Sequence, residues 1–229
     1  MQPYLFPYVG YFCLIQASDI FVFYDDVNYI KQGWVNRNRI LLNGTPHMFS
    51  VPLENGSSFE QIGNVRMLGF SRFKDKFMRT LSQSYGGACC YRQGMDYVDW
   101  VLDGDFVSIS QLAMRAVVGV FEILGIHREF IVSSERFPDT KGLERSERII
   151  SIVQSLNGSR YFNSIGGVGL YDKKFFSSRG LELGFVEPYM RPYAQYKGIE
   201  FVPGLSVIDI LMNNDLDAVR GHFVSYNII

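Results

Sequence analysis

The sequence predicts an α/β protein in which a mixed sheet is flanked by helices, and three observations support this class. Short apolar runs typical of strands alternate with helical patterns at both ends of the 229-residue chain. The Asn43-Gly44 turn joins residues 34–42 and 45–53 as an antiparallel hairpin, so the sheet is not purely parallel. Residues from about 70 to 127 have mostly helical patterns. We therefore expect a single domain, residues 1–229, with a mostly helical insertion in its middle.

The first half of the chain contains a helix, a buried strand and the hairpin before the insertion begins. Residues 10–18 are predicted to form a short helix, and residues 19–26 a strand whose continuous apolar run is typical of burial on both faces. Within the insertion, Ser71 is placed to cap a helix that ends at Gly86-Gly87. Asp105 is placed to cap a longer helix that carries an apolar stripe.

The second half of the chain repeats the order of strand, loop and helix. The predicted elements are a strand at 130–132, a helix at 140–156, a strand at 161–164, a helix ending near 179, a strand at 183–187 and a helix at 205–213. The loop after the strand at 161–164 contains three glycines, whose backbone N–H groups can approach a phosphate or an oxyanion. Its spacing matches neither a Walker loop nor a dinucleotide fingerprint. The candidate binding residues here are Asn163, Ser164, Gly166 and Gly167.

Composition excludes several classes of function. Apolar residues make up 47% of the chain and charged residues 20%, as in compact folded proteins. A formal net charge of −1 and a pI near 6.3 argue against a surface that binds genomic nucleic acid through its phosphates. No apolar run approaches the ~20 residues that span a bilayer, and no signal-peptide pattern opens the chain, so no membrane insertion is predicted. The cysteines Cys13, Cys89 and Cys90 lack metal-ligand and disulfide spacing, which favours a cytoplasmic protein.

Residues 1–39 combine aromatic rings and polar groups at a density that core packing does not require, which predicts a lined pocket. Arg37 and Arg39 share one face of the first hairpin strand, roughly 7 Å apart. This separation matches the span of a diphosphate held by two guanidinium groups, and a solvated strand face is the alternative. The candidate substrate-binding residues of this segment are Gln2, Tyr4, Tyr8, Tyr11, Lys31, Trp34, Asn36, Arg37, Asn38 and Arg39.

Asp25 and Asp26 are the candidate catalytic residues. They follow a predicted strand, and ligands of open α/β sheets gather at the carboxyl ends of strands. Burial and mutual repulsion make one of two adjacent carboxylates more ready to accept a proton, as a general base does. The alternative is that one of them only caps the following turn. Such a pair can hold Mg²⁺ through water, but the spacing does not require it, so neither a metal nor another cofactor is predicted.

A polar stripe runs along the predicted helix at 205–213, where Ser206, Asp209 and Asn213 recur at helical spacing. A stripe of this kind forms either a buried polar network or the wall of a pocket, and both alternatives remain open. Tyrosines and a glutamine precede the stripe in the chain. The candidate binding residues of this region are Tyr193, Gln195, Ser206 and Asp209, with Tyr196 beside them.

Four motifs occur in order along the chain: Gln2-Pro3-x-x-x-Pro7-x-x-Gly10-Tyr11-Phe12, Asp25-Asp26-Val27-x-Tyr29, Trp34-x-Asn36-Arg37-Asn38-Arg39-Ile40, and Tyr193-x-Gln195 followed by Phe201-x-Pro203-x-Leu205-Ser206-x-x-Asp209. Together they resemble the WbqC-like protein family over nearly the whole chain. Family members usually have a short strand before the Gln-Pro motif, whereas here that motif begins at Gln2. The resemblance implies a bacterial protein of O-antigen and polysaccharide biosynthesis, associated with enzymes that make nucleotide-linked amino sugars.

Three functions are compatible with these residues and with the resemblance. The first is acyl or aminoacyl transfer to the amine of a nucleotide-linked amino sugar, with an acyl donor of unknown type and an aspartate as the base. The second is a nucleotidyl- or adenylyl-transferring enzyme that activates a carboxylic acid, although Tyr11 stands where such enzymes use a histidine on phosphate. The third is a non-catalytic module that binds a nucleotide sugar. The residues predict no particular oligomeric state.

Overall fold

The computed structural model describes residues 1–195 and 200–229 of the chain. The α-helices of these residues are α1 (Val9–Gln16), α2 (Phe70–Tyr85), α3 (Tyr91–Leu102), α4 (Ile109–Ile123), α5 (Ser133–Arg136), α6 (Arg145–Ser155), α7 (Lys173–Ser178), α8 (Val207–Asn213) and α9 (Leu216–Phe223). The strands are β1 (Ile20–Phe23), β2 (Arg37–Leu42), β3 (Thr45–Ser50), β4 (Glu129–Val132), β5 (Arg160–Ser164), β6 (Glu182–Pro188) and β7 (Tyr226–Ile228). None of the helices in these two ranges is long and apolar enough to cross a membrane.

The predicted α/β class is confirmed, and the strands of the described residues form three small sheets. β1 pairs in parallel with β4, and β2 pairs with β3 as the predicted hairpin. β6 lies between β5 and β7, parallel to the first and antiparallel to the second, so the mixed pairing occurs in this third sheet. The turn of the hairpin has positive φ at both Asn43 (52°) and Gly44 (79°), as a two-residue hairpin loop requires.

The hairpin forms a separate sheet because other groups occupy the outer edge of β2. The backbone N–H of Leu41 donates to the Tyr85 hydroxyl at 3.0 Å, and the carbonyl of Arg39 accepts from the N–H of Ser206 at 2.8 Å. These partners satisfy backbone groups that would otherwise bind a further strand. They also bring α2 and the segment before α8 against the hairpin.

The helical insertion is confirmed by α2, α3 and α4, but the predicted caps are wrong. α2 follows Gly69 in the left-handed conformation (φ 59°) and is not capped by Ser71. α4 is capped by Ser108, whose hydroxyl accepts from the N–H of Gln111, and not by Asp105. A cap is set by which side chain reaches the first free N–H groups, and the sequence offers several candidates within a few residues.

Three α-helices and one strand of the described residues were not predicted: α3, α5, α9 and β7. α3 contains Gly94, which lowers helix propensity in the middle of the pattern. The same glycine allows α8 to pack closely, since a Cβ at this position would lie 2.5 Å from the sulfur of Met212. Tertiary packing therefore overrides the local preference here.

Two clusters of buried apolar side chains stabilise the fold. The larger one joins α1, β1, the hairpin, the helical insertion, α8 and α9. The smaller one lies among α6, α7, β5 and β6 and includes Ile150, Phe176 and Phe185. The single domain remains a prediction.

Candidate functional site

The carboxyl ends of β1 and β4 bring together two segments that are more than 100 residues apart in the sequence. Phe23 of β1 lies opposite Val132 of β4 in the parallel register. Because both strands run in the same direction, the chain leaves them at one edge of the sheet. Residues 24–26 and 133–134 follow directly, and their side chains form the centre of the candidate site.

Asp25 is buried, with 6% of its surface exposed, and its two oxygens have different partners. Oδ1 accepts from the backbone N–H of Ser134 at 3.0 Å and lies 3.1 Å from the hydroxyl of Ser133. Oδ2 accepts from the Ser134 hydroxyl at 2.7 Å. Gly63 lies beside this oxygen, and a Cβ there would be only 3.0 Å from it. Asp25 forms no ion pair with any residue in 1–195 or 200–229.

Asp26 is also buried, but it is paired with a cation. Nη2 of Arg148 lies 2.5 Å from its Oδ2, and the exposed fractions of the two side chains are 6% for Arg148 and 4% for Asp26. Oδ1 of Asp26 accepts from the Ser133 hydroxyl at 2.6 Å. Arg148 also donates to the Thr140 hydroxyl at 3.0 Å and packs 4.5 Å from the ring centre of Tyr24. The guanidinium therefore balances the charge of Asp26, and Ser133 joins the two carboxylates.

The glycine loop directly follows β5, and its residues Ile165–Leu170 form a 3₁₀ helix. Oδ1 of Asn163 accepts from the N–H of Ser164 at 2.7 Å. Gly167 is buried against the Asn163 amide, and a Cβ there would lie 2.9 Å from Nδ2. Gly167 thus allows close packing on Asn163, whereas Gly166 is exposed.

Tyr24 directly follows β1 and packs on Arg148, whose guanidinium carbon lies 4.5 Å from its ring centre. Burial raises the pKa of the Tyr24 hydroxyl, Arg148 opposes this change, and Tyr171 contributes a smaller increase. Burial also raises the pKa of the Tyr171 hydroxyl, and the nearby Arg145 guanidinium opposes that change.

A second polar network surrounds Asp209 of α8, which is fully buried. Oδ1 accepts from the Tyr85 hydroxyl at 2.8 Å, and Oδ2 accepts from the Tyr193 hydroxyl at 2.7 Å and from the Gln195 amide at 2.8 Å. Burial raises the pKa of Asp209, and these three hydrogen bonds oppose that change. Gln195 also bonds both the N–H and the carbonyl of Val202. The polar stripe of α8 is thus a buried network.

The opening segment meets the C-terminal stripe at the carbonyl of Phe6. This oxygen accepts from the Asn38 amide at 2.7 Å and from the Ser206 hydroxyl at 2.8 Å. The N–H of Val207 donates to the carbonyl of Pro7 at 2.8 Å. Phe6 has φ 44°, a conformation that is costly for a residue with a Cβ and that these hydrogen bonds hold in place.

The tyrosines of the opening segment pack on one another and on the backbone. The Tyr11 hydroxyl donates to the carbonyl of Gln2 at 2.8 Å, and the ring centres of Tyr4 and Tyr11 are 5.7 Å apart. The Tyr8 ring lies over Gly10, where a Cβ would be 2.4 Å from it. Tyr4 and Tyr8 are half-buried, so part of each ring remains open to a ligand, whereas Tyr11 is buried.

Trp34, Arg37 and Arg39 form a patch that we call the indole–guanidinium patch. The guanidinium carbons of Arg37 and Arg39 lie 6.0 Å and 5.7 Å from the indole centre, and the exposed fraction of Trp34 is 38%. Arg37 donates to the carbonyl of Gly33 at 2.9 Å, and Arg39 donates to that of Gly204 at 3.3 Å. The buried Nε of Arg39 has no acceptor among the described residues. Among the described residues, neither Arg37 nor Arg39 forms an ion pair with Asp25 or Asp26.

Asn36 and Lys31, the other polar candidates near the patch, lie in opposite environments: the Asn36 side chain is held by hydrogen bonds, and Lys31 is in solvent. The side-chain oxygen of Asn36 accepts from the Tyr29 hydroxyl at 2.8 Å, and its amide donates to the carbonyl of Val51 at 2.8 Å. These contacts hold the loop before β2 against the end of β3. Lys31 is exposed.

Some residues of the site escape prediction from the sequence. Ser133 and Ser134 directly follow a predicted strand, so the carboxyl-end argument applied to Asp25 also points to them. Arg148 and Tyr85 lie on helices and carry no such signal. Tyr196 lies outside the described residues. Across the residues that the structure describes, no three His, Cys, Asp or Glu side chains gather where they could hold a metal ion.

Comparison with known proteins assigns the family. The model of the WbqC-like protein family matches residues 2–221 of the chain. The "Uncharacterized protein Rv1507c" of Mycobacterium tuberculosis (strain ATCC 25618 / H37Rv) is 25% identical over 220 residues, which cover 95% of this chain and 94% of that protein. No solved structure matches the chain. The family match spans all four motifs and both polar networks, and the chain therefore belongs to the WbqC-like protein family.

Proposed function

We propose that this protein is an enzyme of bacterial O-antigen or polysaccharide biosynthesis that transfers an acyl or aminoacyl group to the amine of a nucleotide-linked amino sugar. The observation that carries the proposal is the contrast between the two aspartates. Asp26 is paired with Arg148, whereas Asp25 bonds only hydroxyl and N–H groups within the described chain. Asp25 is therefore the carboxylate suited to accept a proton at this edge of the sheet.

The reaction needs a base because an amine that attacks an acyl carbonyl must lose a proton. The nitrogen forms a bond to the carbonyl carbon, its proton passes to Asp25, and the donor's leaving group departs with the bonding electrons. Tyr24 directly follows β1 beside Asp25 and is only half-buried, so we assign its hydroxyl to the binding of a sugar hydroxyl. Family membership supports the amino-sugar substrate only as an association.

The nucleotide diphosphate is assigned to the indole–guanidinium patch. Arg binds phosphate oxygens in pairs, and a partly exposed indole offers a stacking face to a nucleobase. The half-buried rings of Tyr4 and Tyr8 are proposed to border the same ligand.

The patch gives a direct prediction for nucleotide binding. Arg37→Ala and Arg39→Ala are each expected to weaken binding of UDP by roughly 5- to 150-fold, because a charge-assisted hydrogen bond contributes about 1–3 kcal/mol. Isothermal titration calorimetry measures the dissociation constants. Arg72→Ala, which removes an exposed arginine on α2, is the matched control and should bind like the wild type. Unchanged affinity in both patch variants would remove the patch from the ligand site.

The function itself is tested by a screen of nucleotide-linked amino sugars. Thermal shift identifies the sugars that bind, and mass spectrometry of mixtures with acyl-coenzyme A, acyl-carrier, aminoacyl-tRNA and acyl-phosphate donors identifies an acylated product. We expect Asp25→Asn to lower product formation by about 10²- to 10⁴-fold, the contribution of a general base. Product formed at the wild-type rate by this variant argues against Asp25 as the base.

A second candidate is nucleotidyl or adenylyl transfer that activates a carboxylic acid. The observation in its favour is that β1 pairs in parallel with β4 and is followed directly by Asp25 and Asp26, an arrangement found in many nucleotide-binding α/β folds. Release of pyrophosphate from labelled ATP in the presence of a carboxylic acid distinguishes it from the first proposal. A non-catalytic sugar-binding module would show affinity without either product.

A further inference from the structure

Ser134 is an exposed serine whose hydroxyl donates to a carboxylate, whereas Ser133, which also bonds carboxylates, is buried. Hydroxyls such as those of Ser84 and Ser178 donate to backbone carbonyls within their own helices. The Ser134 hydroxyl lies 2.7 Å from Oδ2 of Asp25, a buried carboxylate contributed by another strand end. Ser134 itself is exposed. An accessible hydroxyl that donates to a buried carboxylate has the arrangement of an activated nucleophile.

The base is itself oriented by other groups, as in nucleophile–base–orienter arrangements. Oδ1 of Asp25 accepts from the N–H of Ser134 and lies 3.1 Å from the Ser133 hydroxyl. That hydroxyl is 2.6 Å from Asp26, which pairs with Arg148. A continuous series of contacts therefore leads from the exposed hydroxyl to a buried ion pair that fixes it.

Capping of α5 explains only part of this arrangement. α5 begins at Ser133, and the bond from the Ser134 N–H to Oδ1 of Asp25 satisfies one free group of its first turn. The bond from the hydroxyl uses the other carboxylate oxygen and adds nothing to the cap. The Gly63 backbone packs against that oxygen, since a Cβ there would lie 3.0 Å from it. Asp25 is thus covered, and the exposed member of the pair is Ser134.

We propose that Ser134 is a nucleophile that carries the acyl group, with Asp25 as its base; this rests on the proposed acyl transfer. In the first step the Ser134 oxygen bonds to the carbonyl carbon of the donor, and its proton passes to Asp25. The leaving group departs with the bonding electrons and takes that proton. In the second step the sugar amine attacks the seryl ester and its proton passes to Asp25. The bond to Ser134 breaks, and its oxygen recovers a proton from Asp25.

The nucleophile is tested with small acylating probes and the full chain. Incubation with p-nitrophenyl acetate or a fluorophosphonate, followed by peptide mass mapping, is expected to locate one dominant adduct on Ser134. Asp25→Asn should lower the labelling rate by about 10²-fold or more, and Ser134→Ala should abolish it. Ser134→Cys should restore an acetyl adduct as a hydroxylamine-sensitive thioester. Ser178, an exposed serine with a backbone acceptor, is the matched internal control and should remain unlabelled.

Equal labelling of Ser134 and Ser178, or labelling at the wild-type level in Ser134→Ala, would overturn the inference. The outcome is separable from that of the proposed function. If a sugar is acylated and Ser134→Ala retains the rate within twofold, transfer is direct and only the nucleophile is wrong. If Ser134 is labelled but no amino sugar is acylated, the nucleophile stands and the substrate proposal is wrong.

Discussion

Arg148→Met is expected to lower the free energy of unfolding by about 3–5 kcal/mol, because it leaves Asp26 as an uncompensated charge in a buried position. The long apolar side chain of methionine fills most of the space, so the loss reports the electrostatic change. Urea denaturation followed by circular dichroism at pH 7 measures it. Because the Ser133 hydroxyl contacts both Asp26 and Asp25, the hydrogen bonds around Asp25 are expected to weaken as well.

An exposed pair on α3 provides the matched control. Arg92 lies 3.9 Å from Asp96, and both side chains are largely in solvent. Arg92→Met should change stability by less than about 0.5 kcal/mol. The double variant Arg148→Met with Asp26→Asn should recover much of the loss, since it no longer buries a lone charge. A double variant that loses the sum of both single effects would contradict this explanation.

Asp209→Ala is expected to cost about 3–5 kcal/mol of unfolding free energy. It removes the acceptor of three donors, the hydroxyls of Tyr85 and Tyr193 and the amide of Gln195. Each buried donor left without an acceptor costs about 1–3 kcal/mol, and relaxation recovers part of the total. Asp19→Ala, which removes an exposed carboxylate, is the control and should stay within about 0.5 kcal/mol of the wild type. A loss below about 1 kcal/mol in Asp209→Ala would show that the network is not a stabilising one.

The raised pKa of Asp209 also predicts how the stability of the protein changes with pH. Burial raises the pKa of Asp209 in the folded state, so the unfolded state binds fewer protons between the two pKa values. The raised pKa of Asp209 therefore stabilises the folded state at low pH. This contribution is complete below the pKa of about 4 that Asp209 has in the unfolded chain, and it is lost as the pH rises through the higher pKa of the folded state. Relative to Asp209→Asn, the wild type should therefore lose stability as pH rises above about 4. Urea titrations of both proteins over pH 4–7 measure this difference, and a rising wild-type advantage would contradict the assignment.

Local patterns were sufficient for the fold class and for several elements. The Asn43-Gly44 turn specified the hairpin, because its two residues adopt positive φ more easily than others. The insertion between about 70 and 127 was recognisable from apolar stripes that repeat every three to four residues. Family membership was also recognisable from four motifs, and the family match over residues 2–221 confirms it.

Local patterns indicated where the candidate site would lie, but not which distant residues contact its side chains. Asp25 and Asp26 were predicted as candidates from their position after a strand, yet the sequence did not distinguish the carboxylate that pairs with a cation from the one that does not. That distinction depends on Arg148, 122 residues beyond Asp26. Likewise, Asp209 was identified as part of a polar stripe, whereas Tyr85, 124 residues away, was not.

The sequence by itself determined the elements whose signals are local: periodicity, turn residues and strand ends. Only the tertiary structure decided which carboxylate is paired, which hydroxyl faces it, and that the opening segment and α8 meet at Phe6. The physical reason is that these contacts arise from the parallel pairing of β1 with β4 and from packing across the core. Hydrophobic periodicity reports which face of an element is buried, but it carries no information on which distant residue will lie against that face.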